Sequence, residues 1–411
     1  MRRVLISTLL VGSLAIAGAV SAIPAQASSG GPVGPTSFGM HIPQIAQGTA
    51  PSVSDGAIRL WDSGVAWGQV QQKANQFWWN GLDASIGAAN TQNLKIMYVL
   101  GSTPKWAATN TKQGTYPNKG AASVPSSKNW KNWVKAVVQR YGDSIESYQI
   151  WNEANLTTFW QGTPKQMAKL TKDAYTIIRQ YDPTAKVVAA SSTVRLQSAY
   201  KKFFPAYLKE LKKLNWPIDV VSVHLYPASK GTPADRANFI SQVKSDMKAA
   251  KVPASKPLWD TEINYGIAGP GSGNPKKNIG GSTAAAWVAQ TYLDDLRLGV
   301  ERAYWYYWYP QANLVGVQMF DGTPGALGYQ TVSSWLTGSY YSCTTDKVNT
   351  CQLGDNTNPK VIAWASKGSG TFVVPAGANW TCDAMNQCKP AVPGTPVTIG
   401  SMPQWFGIAP S

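Results

Sequence analysis

Two histidines (His41 and His224) and five glutamates (Glu146, Glu153, Glu210, Glu262 and Glu301) are all that a chain of 411 residues contains. So little histidine excludes a multi-histidine zinc centre. Cysteine does not replace it, because Cys343, Cys351, Cys382 and Cys388 do not stand at zinc-knuckle spacings. Charged residues make up 14% of the chain against 44% hydrophobic, a balance that excludes disorder as a global description. No G-x-G-x-x-G or Walker sequence follows the first predicted strand, which removes the usual basis for nucleotide binding. Beyond the N-terminus no apolar run approaches membrane length.

Acidic residues are also few: 37 Lys and Arg stand against 21 Asp and Glu, a formal charge of +16. The lysines recur along helix-like segments (Lys165, Lys169, Lys172; Lys209, Lys212, Lys213), and a solvated helix face is the reading preferred over a nucleic-acid stripe. No nucleic-acid partner is expected. What remains is a general attraction to an anionic cell envelope or an acidic polysaccharide.

The first 27 residues read as an export signal. Arg2 and Arg3 precede an apolar stretch from Val4 to Val20, and Ala25-Gln26-Ala27 offers a small-x-small cleavage site, with Val20-Ser21-Ala22 as the alternative. The run is short for a spanning helix, so a soluble, extracellular, monomeric protein without membrane insertion is expected. Export makes two disulfides the natural state of the four cysteines. The local pairing Cys343–Cys351 with Cys382–Cys388 is favoured, and the other two connectivities stay open. Residues 28–36 read as a linker.

Between 37 and 337 short apolar runs alternate with amphipathic stretches. Eight strands are predicted, at 37–42, 57–61, 94–100, 146–152, 185–191, 218–225, 256–262 and 301–308. Helices are predicted at 127–141, capped by Ser126 or Ser127 and ended by Gly142, and at 164–181, 198–214, 233–250 and 282–298. Such alternation predicts an α/β fold, a (β/α)8 TIM barrel, over a doubly wound open sheet. From 338 to 411 helical periodicity stops, and a small, disulfide-stapled β module is expected, as a flank packed on the barrel or as a separate sugar-binding unit.

Glu153 and Glu262 close the predicted fourth and seventh strands, at the barrel end where chemistry sits. Both are bracketed by Trp, Ile, Leu and Asn, whereas Glu146, Glu210 and Glu301 read as surface charges. Strands four and seven face each other across a barrel mouth. One carboxyl kept protonated and one ionised is the pair used in glycosidic bond cleavage, and a separation of about 5 Å implies retention of configuration.

The run Ile150-Trp151-Asn152-Glu153-Ala154-Asn155 resembles the strand-four signature of glycoside hydrolase clan A. Trp259-Asp260-Thr261-Glu262-Ile263-Asn264-Tyr265-Gly266 resembles its strand-seven segment. The nearest likeness is to family 39-like or family 5-like endoglycosidases. In that family Asn-Glu-Pro is the commoner form, and here Ala154 replaces the proline. The resemblance implies Glu153 as acid/base, Glu262 as nucleophile and Asn152 as the partner of the sugar 2-hydroxyl. It implies Arg59 as the cation that keeps the nucleophile ionised, and His224 and Tyr226 as a strand-six pair facing the site. Trp308 is implied as the sugar platform. His41, ending strand one, is positioned to line the site, and Trp61, Trp67, Trp106 and Trp160 are subsite candidates. The implied protein is a secreted retaining glycosidase, endo-acting on a polysaccharide such as a galactan, arabinan or β-glucan. A transglycosidase would share its covalent intermediate. A non-catalytic sugar-binding barrel would be expected to have lost a carboxylate, and neither is lost. No metal or organic cofactor is needed, since proton transfer and covalent attack require only side chains.

Overall fold

The computed structural model describes residues 27–267, 277–309, 314–354 and 360–409. The expected export signal lies outside them, apart from Ala27. Eight strands, Phe38–Met40, Ala57–Leu60, Lys95–Val99, Ile145–Gln149, Lys186–Val188, Val221–His224, Leu258–Ile263 and Arg302–Trp305, form one parallel sheet. The first five pair in sequence order, the first also pairs with the eighth, and the sixth, seventh and eighth follow in turn. The fifth and sixth close the ring through the Val188–Val220 and Thr193–His224 bridges and a 2.9 Å bond from the Ala189 N–H to the Val220 carbonyl. The architecture is the expected (β/α)8 barrel. Most of the strands are shorter than predicted because the ends of the apolar runs leave the ladder to build the mouth.

Helices fall where periodicity and caps dictate. Ser127–Tyr141 starts on Ser126, whose hydroxyl accepts from the Asn129 N–H at 3.2 Å. Pro164–Tyr181 starts on a Thr163–Gln166 capping box. Gln197–Lys213, Pro233–Ala250, Gly281–Leu298 and Pro324–Leu336 follow, and Asn80–Thr91 fills the second position. After strand one only a single turn, Ile45–Gln47, replaces a helix.

Alternation along the strands sorts the barrel interior into layers. Ala57, Met97, Val188, Val220, Trp259 and Tyr304 form an apolar plug. Two residues further along their strands, Arg59, Ser222 and Thr261 join Gln149 in a polar layer. The Gln149 amide donates to the hydroxyls of Ser222 (2.9 Å) and Thr261 (3.0 Å), and its carbonyl oxygen accepts from Arg59 Nε (2.8 Å). The mouth is thus wired to the plug by buried, satisfied hydrogen bonds.

The segment expected as a linker is structured. Ala27–Gly30 pairs antiparallel with Tyr341–Thr344 and edges a seven-stranded C-terminal sheet. A row of backbone donors left open at Tyr341–Thr344 explains the correction. Cys343 is bonded to Cys351 and Cys382 to Cys388, each across neighbouring strands. Each short loop closure contributes about 2–3 kcal/mol. The module covers helix Gly281–Leu298, which is buried at every position from Ala284 to Leu298. Ser28 Oγ donates to the Leu296 carbonyl at 2.9 Å, and Arg297 donates to Thr345 Oγ1 at 2.9 Å.

Candidate active site

The two glutamates meet. Glu153 lies just beyond strand four, in left-handed backbone (φ 39°) that costs a non-glycine residue about 1–3 kcal/mol. It is held there by Ser191, whose hydroxyl accepts the Glu153 N–H and whose carbonyl accepts the Ala154 N–H, both at 2.9 Å. Glu262 lies in strand seven, where the ladder with strand eight slips between Asp260 and Ile263. That irregularity lets Thr261 face the polar layer while Glu262 still reaches the mouth. His224 Nδ1 is 3.0 Å from Glu153 Oε1 and 3.3 Å from Glu262 Oε2. Polar atoms of the three residues lie within 4.8 Å of one another.

Their surroundings are unequal. Glu262 receives Arg59 Nη1 at 2.5 Å on one oxygen and the Tyr226 hydroxyl at 3.0 Å on the other. Arg59 also donates to Asn152 Oδ1 at 2.8 Å, so one guanidinium fixes the nearest neighbour of Glu153 and the carboxylate of Glu262. Burial pushes both carboxyls up. On Glu262 the neighbouring His224 imidazole and the charge on Arg59 oppose that rise. On Glu153 burial dominates, Arg195 and Arg59 pull back from a distance, and the result is about 7. Burial drives His224 down to about 3, so its imidazole is neutral and can donate its Nδ1 proton to one carboxylate. Glu153, His224 and Glu262 are also close enough to grip a cation. Arg59, already on Glu262, opposes a second positive charge there.

A cavity of about 590 Å³ opens over the pair. Trp61, Asp62, Tyr116, Tyr226, Tyr306 and Tyr307 are among its walls. Asp62 accepts from the Tyr306 hydroxyl at 2.7 Å and the Tyr116 hydroxyl at 2.8 Å, which straps the loop after strand three to the rim.

The structure brings Glu153, Glu262, Asn152, Arg59, His224 and Tyr226 together. It does not bring in Trp308, which is 5% exposed and sits in the core, its N–H donating to the His41 carbonyl at 2.8 Å. Trp308 has left the ladder to bridge Met319, and Tyr306, Tyr307 and Tyr309 supply the wall from this segment. His41 lies beneath the site: Nε2 donates to the Thr261 carbonyl at 3.1 Å, and its ring packs edge-on against Tyr306 at 4.9 Å. Trp61 lines the cavity and Trp160 a neighbouring one. Trp67 is core, stacked on Trp133 at 5.6 Å, and Trp106 packs beside it. Glu146, expected as a surface charge, is partly buried and bonded by Arg302 at 2.7 Å. Sequence reasoning missed Gln149, Asp62, Tyr306 and Arg195. Asp62 and Gln149 flank residues singled out on strands two and four, and that adjacency was the available signal.

The model of glycosyl hydrolases family 39 matches residues 63–308. A family 39 glycoside hydrolase from the gut symbiont Bacteroides cellulosilyticus WH2 superposes with a TM-score of 0.68 at 16% identity, covering 92% of this chain and 82% of that one. The family 39 enzyme from Xanthomonas axonopodis pv. citri gives 0.65 at 16% identity, covering 93% and 96%. CelM2, a bifunctional glucanase-xylanase from a metagenome library, gives 0.61 at 13% identity, covering 93% and 97%. No curated protein matches the chain by sequence. The solved structures share the barrel. The family match spans well over half of the chain, including both glutamates, and with it the chain belongs to family 39 of the glycosyl hydrolases.

Proposed function

We propose that this glycosidase is exported and cleaves a polysaccharide with retention of configuration, Glu262 being the nucleophile and Glu153 the acid/base. The observation that carries the reading is the pair of carboxyl groups, with an oxygen of one within 4.8 Å of an oxygen of the other, in unequal surroundings. Retaining chemistry needs carboxyls about 5–5.5 Å apart, and a wider gap would be needed to admit the water of an inverting enzyme. In the first step Glu262 attacks the anomeric carbon while Glu153 gives its proton to the leaving oxygen. The glycosyl–Glu262 ester then forms, and Glu153, now ionised, takes a proton from the incoming water. Arg59 and Tyr226 stabilise the attacking charge. Asn152 is oriented by Arg59 toward the sugar 2-hydroxyl. His224, neutral between the two carboxyls, bonds whichever is ionised. Two disulfides agree with an oxidising compartment. Endo action is supported by a second cavity that shares Arg195 with the one over the pair.

The test is to screen galactans, arabinans and β-glucans and follow the first product by proton NMR. The expected product keeps the anomeric configuration of the substrate. An inverted first product overturns the double displacement.

Arg59→Met should carry the lower limb of the kcat/KM profile to higher pH, because Glu262 loses the guanidinium that favours its ionised form. An unmoved lower limb would show that Arg59 does not set the charge state of the nucleophile.

A further inference from the structure

Next to the catalytic cavity lies a second one of about 850 Å³, between the loops that follow strands four and five. Arg195 belongs to the wall of both. The second cavity borders Ala154, immediately after the acid/base, and so lies on the side toward which Glu153 would release the leaving group.

The chemistry of its wall is one-sided. Arg195 and Lys202 are its charged residues, and no carboxylate contributes to it. The Nε of Arg195 is buried without a hydrogen-bond partner. Among the described residues Arg195 forms no ion pair, although its charge is felt at Glu153. A guanidinium can only donate hydrogen bonds. The Nε has no open surface, so what Arg195 offers a ligand is the remainder of its partly exposed guanidinium. A guanidinium with no ion-pair partner, beside Lys202 and no carboxylate, calls for an anionic ligand, since its planar fork matches a carboxylate or a phosphate.

We propose that the second cavity is a subsite for the leaving-group side of the glycan and that it takes a sugar carrying an anionic group, with Arg195 as the anchor. The inference rests on Glu153 being the acid, which fixes the side on which the leaving group departs. It also gives the bound anion a consequence for catalysis. Arg195 otherwise favours the ionised form of Glu153, and an anion paired with Arg195 cancels that pull, leaving the acid protonated to higher pH.

The experiment is calorimetric titration of the full chain carrying Glu262→Ala, so that no probe is cleaved. Two matched pairs are used: oligogalacturonate against the same oligomer with its carboxyls reduced, and a phosphorylated oligomannoside against its dephosphorylated form. At least one anionic member should bind about tenfold more tightly than its neutral counterpart, equivalent to about 1.4 kcal/mol. Which pair responds distinguishes a uronate from a phosphate ester. Adding Arg195→Gln should abolish the preference. Adding Lys209→Gln, which removes the same charge from an exposed position on the neighbouring helix, should leave it intact. Equal binding within both pairs, or equal effects of the two substitutions, overturns the proposal. Hydrolysis with retention but no anionic preference defeats this inference alone. An Arg195-dependent preference in a protein that hydrolyses none of the glycans screened defeats the catalytic reading and leaves a binding site.

Discussion

Glu262→Ala is expected to lower kcat by about 10⁴-fold or more, while an oligosaccharide substrate still binds. The loss is that large because in the proposed double displacement the residue forms the covalent bond, and no other carboxyl is placed to substitute. Asp62 is committed to two tyrosine hydroxyls, and Glu153 lies on the leaving-group side. The fold should survive. Arg59 loses its 2.5 Å partner but keeps Gln149 and Asn152 at 2.8 Å each. The uncompensated guanidinium costs about 3–5 kcal/mol, which circular dichroism and thermal unfolding would register as a lowered midpoint with unchanged secondary structure. Truncation also opens space beside the anomeric carbon. Azide should enter it and restore part of the turnover, giving a glycosyl azide of anomeric configuration opposite to the substrate. Wild-type rates in Glu262→Ala would remove Glu262 from the chemistry. Rescue by azide with retained configuration would give the attack to a different face.

The pair of glutamates was legible in the sequence for a physical reason. A carboxylate at the end of an apolar strand, in a chain with five glutamates, must be paired or used, and the barrel topology follows from strand–helix alternation that brings strands four and seven together. Arg59 was legible by the same logic, as a cation inside an apolar run. The platform was not. In Tyr304-Trp305-Tyr306-Tyr307-Trp308-Tyr309 every residue is aromatic, so composition does not say which rings face the sugar. The outcome depends on where the strand ends, and it ends at Trp305, which sends Trp308 to the core and the tyrosines to the cavity. Gln149 escaped notice because a glutamine in a strand carries no chemical signature until three partners surround it. The Ala27–Gly30 strand escaped because Ser and Gly read as linker, and its pairing is with residues more than three hundred positions away. Arg195 carries no motif at all. Its significance comes from what fails to surround it.

Glu153→Gln should separate substrates by leaving group. Cleavage of a poorly activated glycoside should fall by about 10²–10⁴-fold, the usual worth of positioned proton transfer, whereas a dinitrophenyl glycoside, which departs without a proton, should lose far less in the first step. The second step also slows, because an amide cannot deprotonate water. The glycosyl–enzyme ester should then accumulate as a burst of phenol, and azide should discharge it with retained configuration. The pH dependence gives an independent reading of the same residue. Burial holds Glu153 up at about 7, against a usual carboxylate near 4.5, so it is protonated below neutrality and about half protonated at pH 7. The active form of the free enzyme is the protonated one, and kcat/KM in the wild type should fall about tenfold per pH unit above roughly 7. Glutamine does not titrate, so that upper limb should vanish in the variant. Arg195 and Arg59 act against the rise, and removing the nearer charge with Arg195→Gln should carry the limb to higher pH. Equal losses on both classes of leaving group, or an upper limb that persists in Glu153→Gln, would assign the proton to another residue. In that case the 3.0 Å contact with His224 would name the first residue to examine.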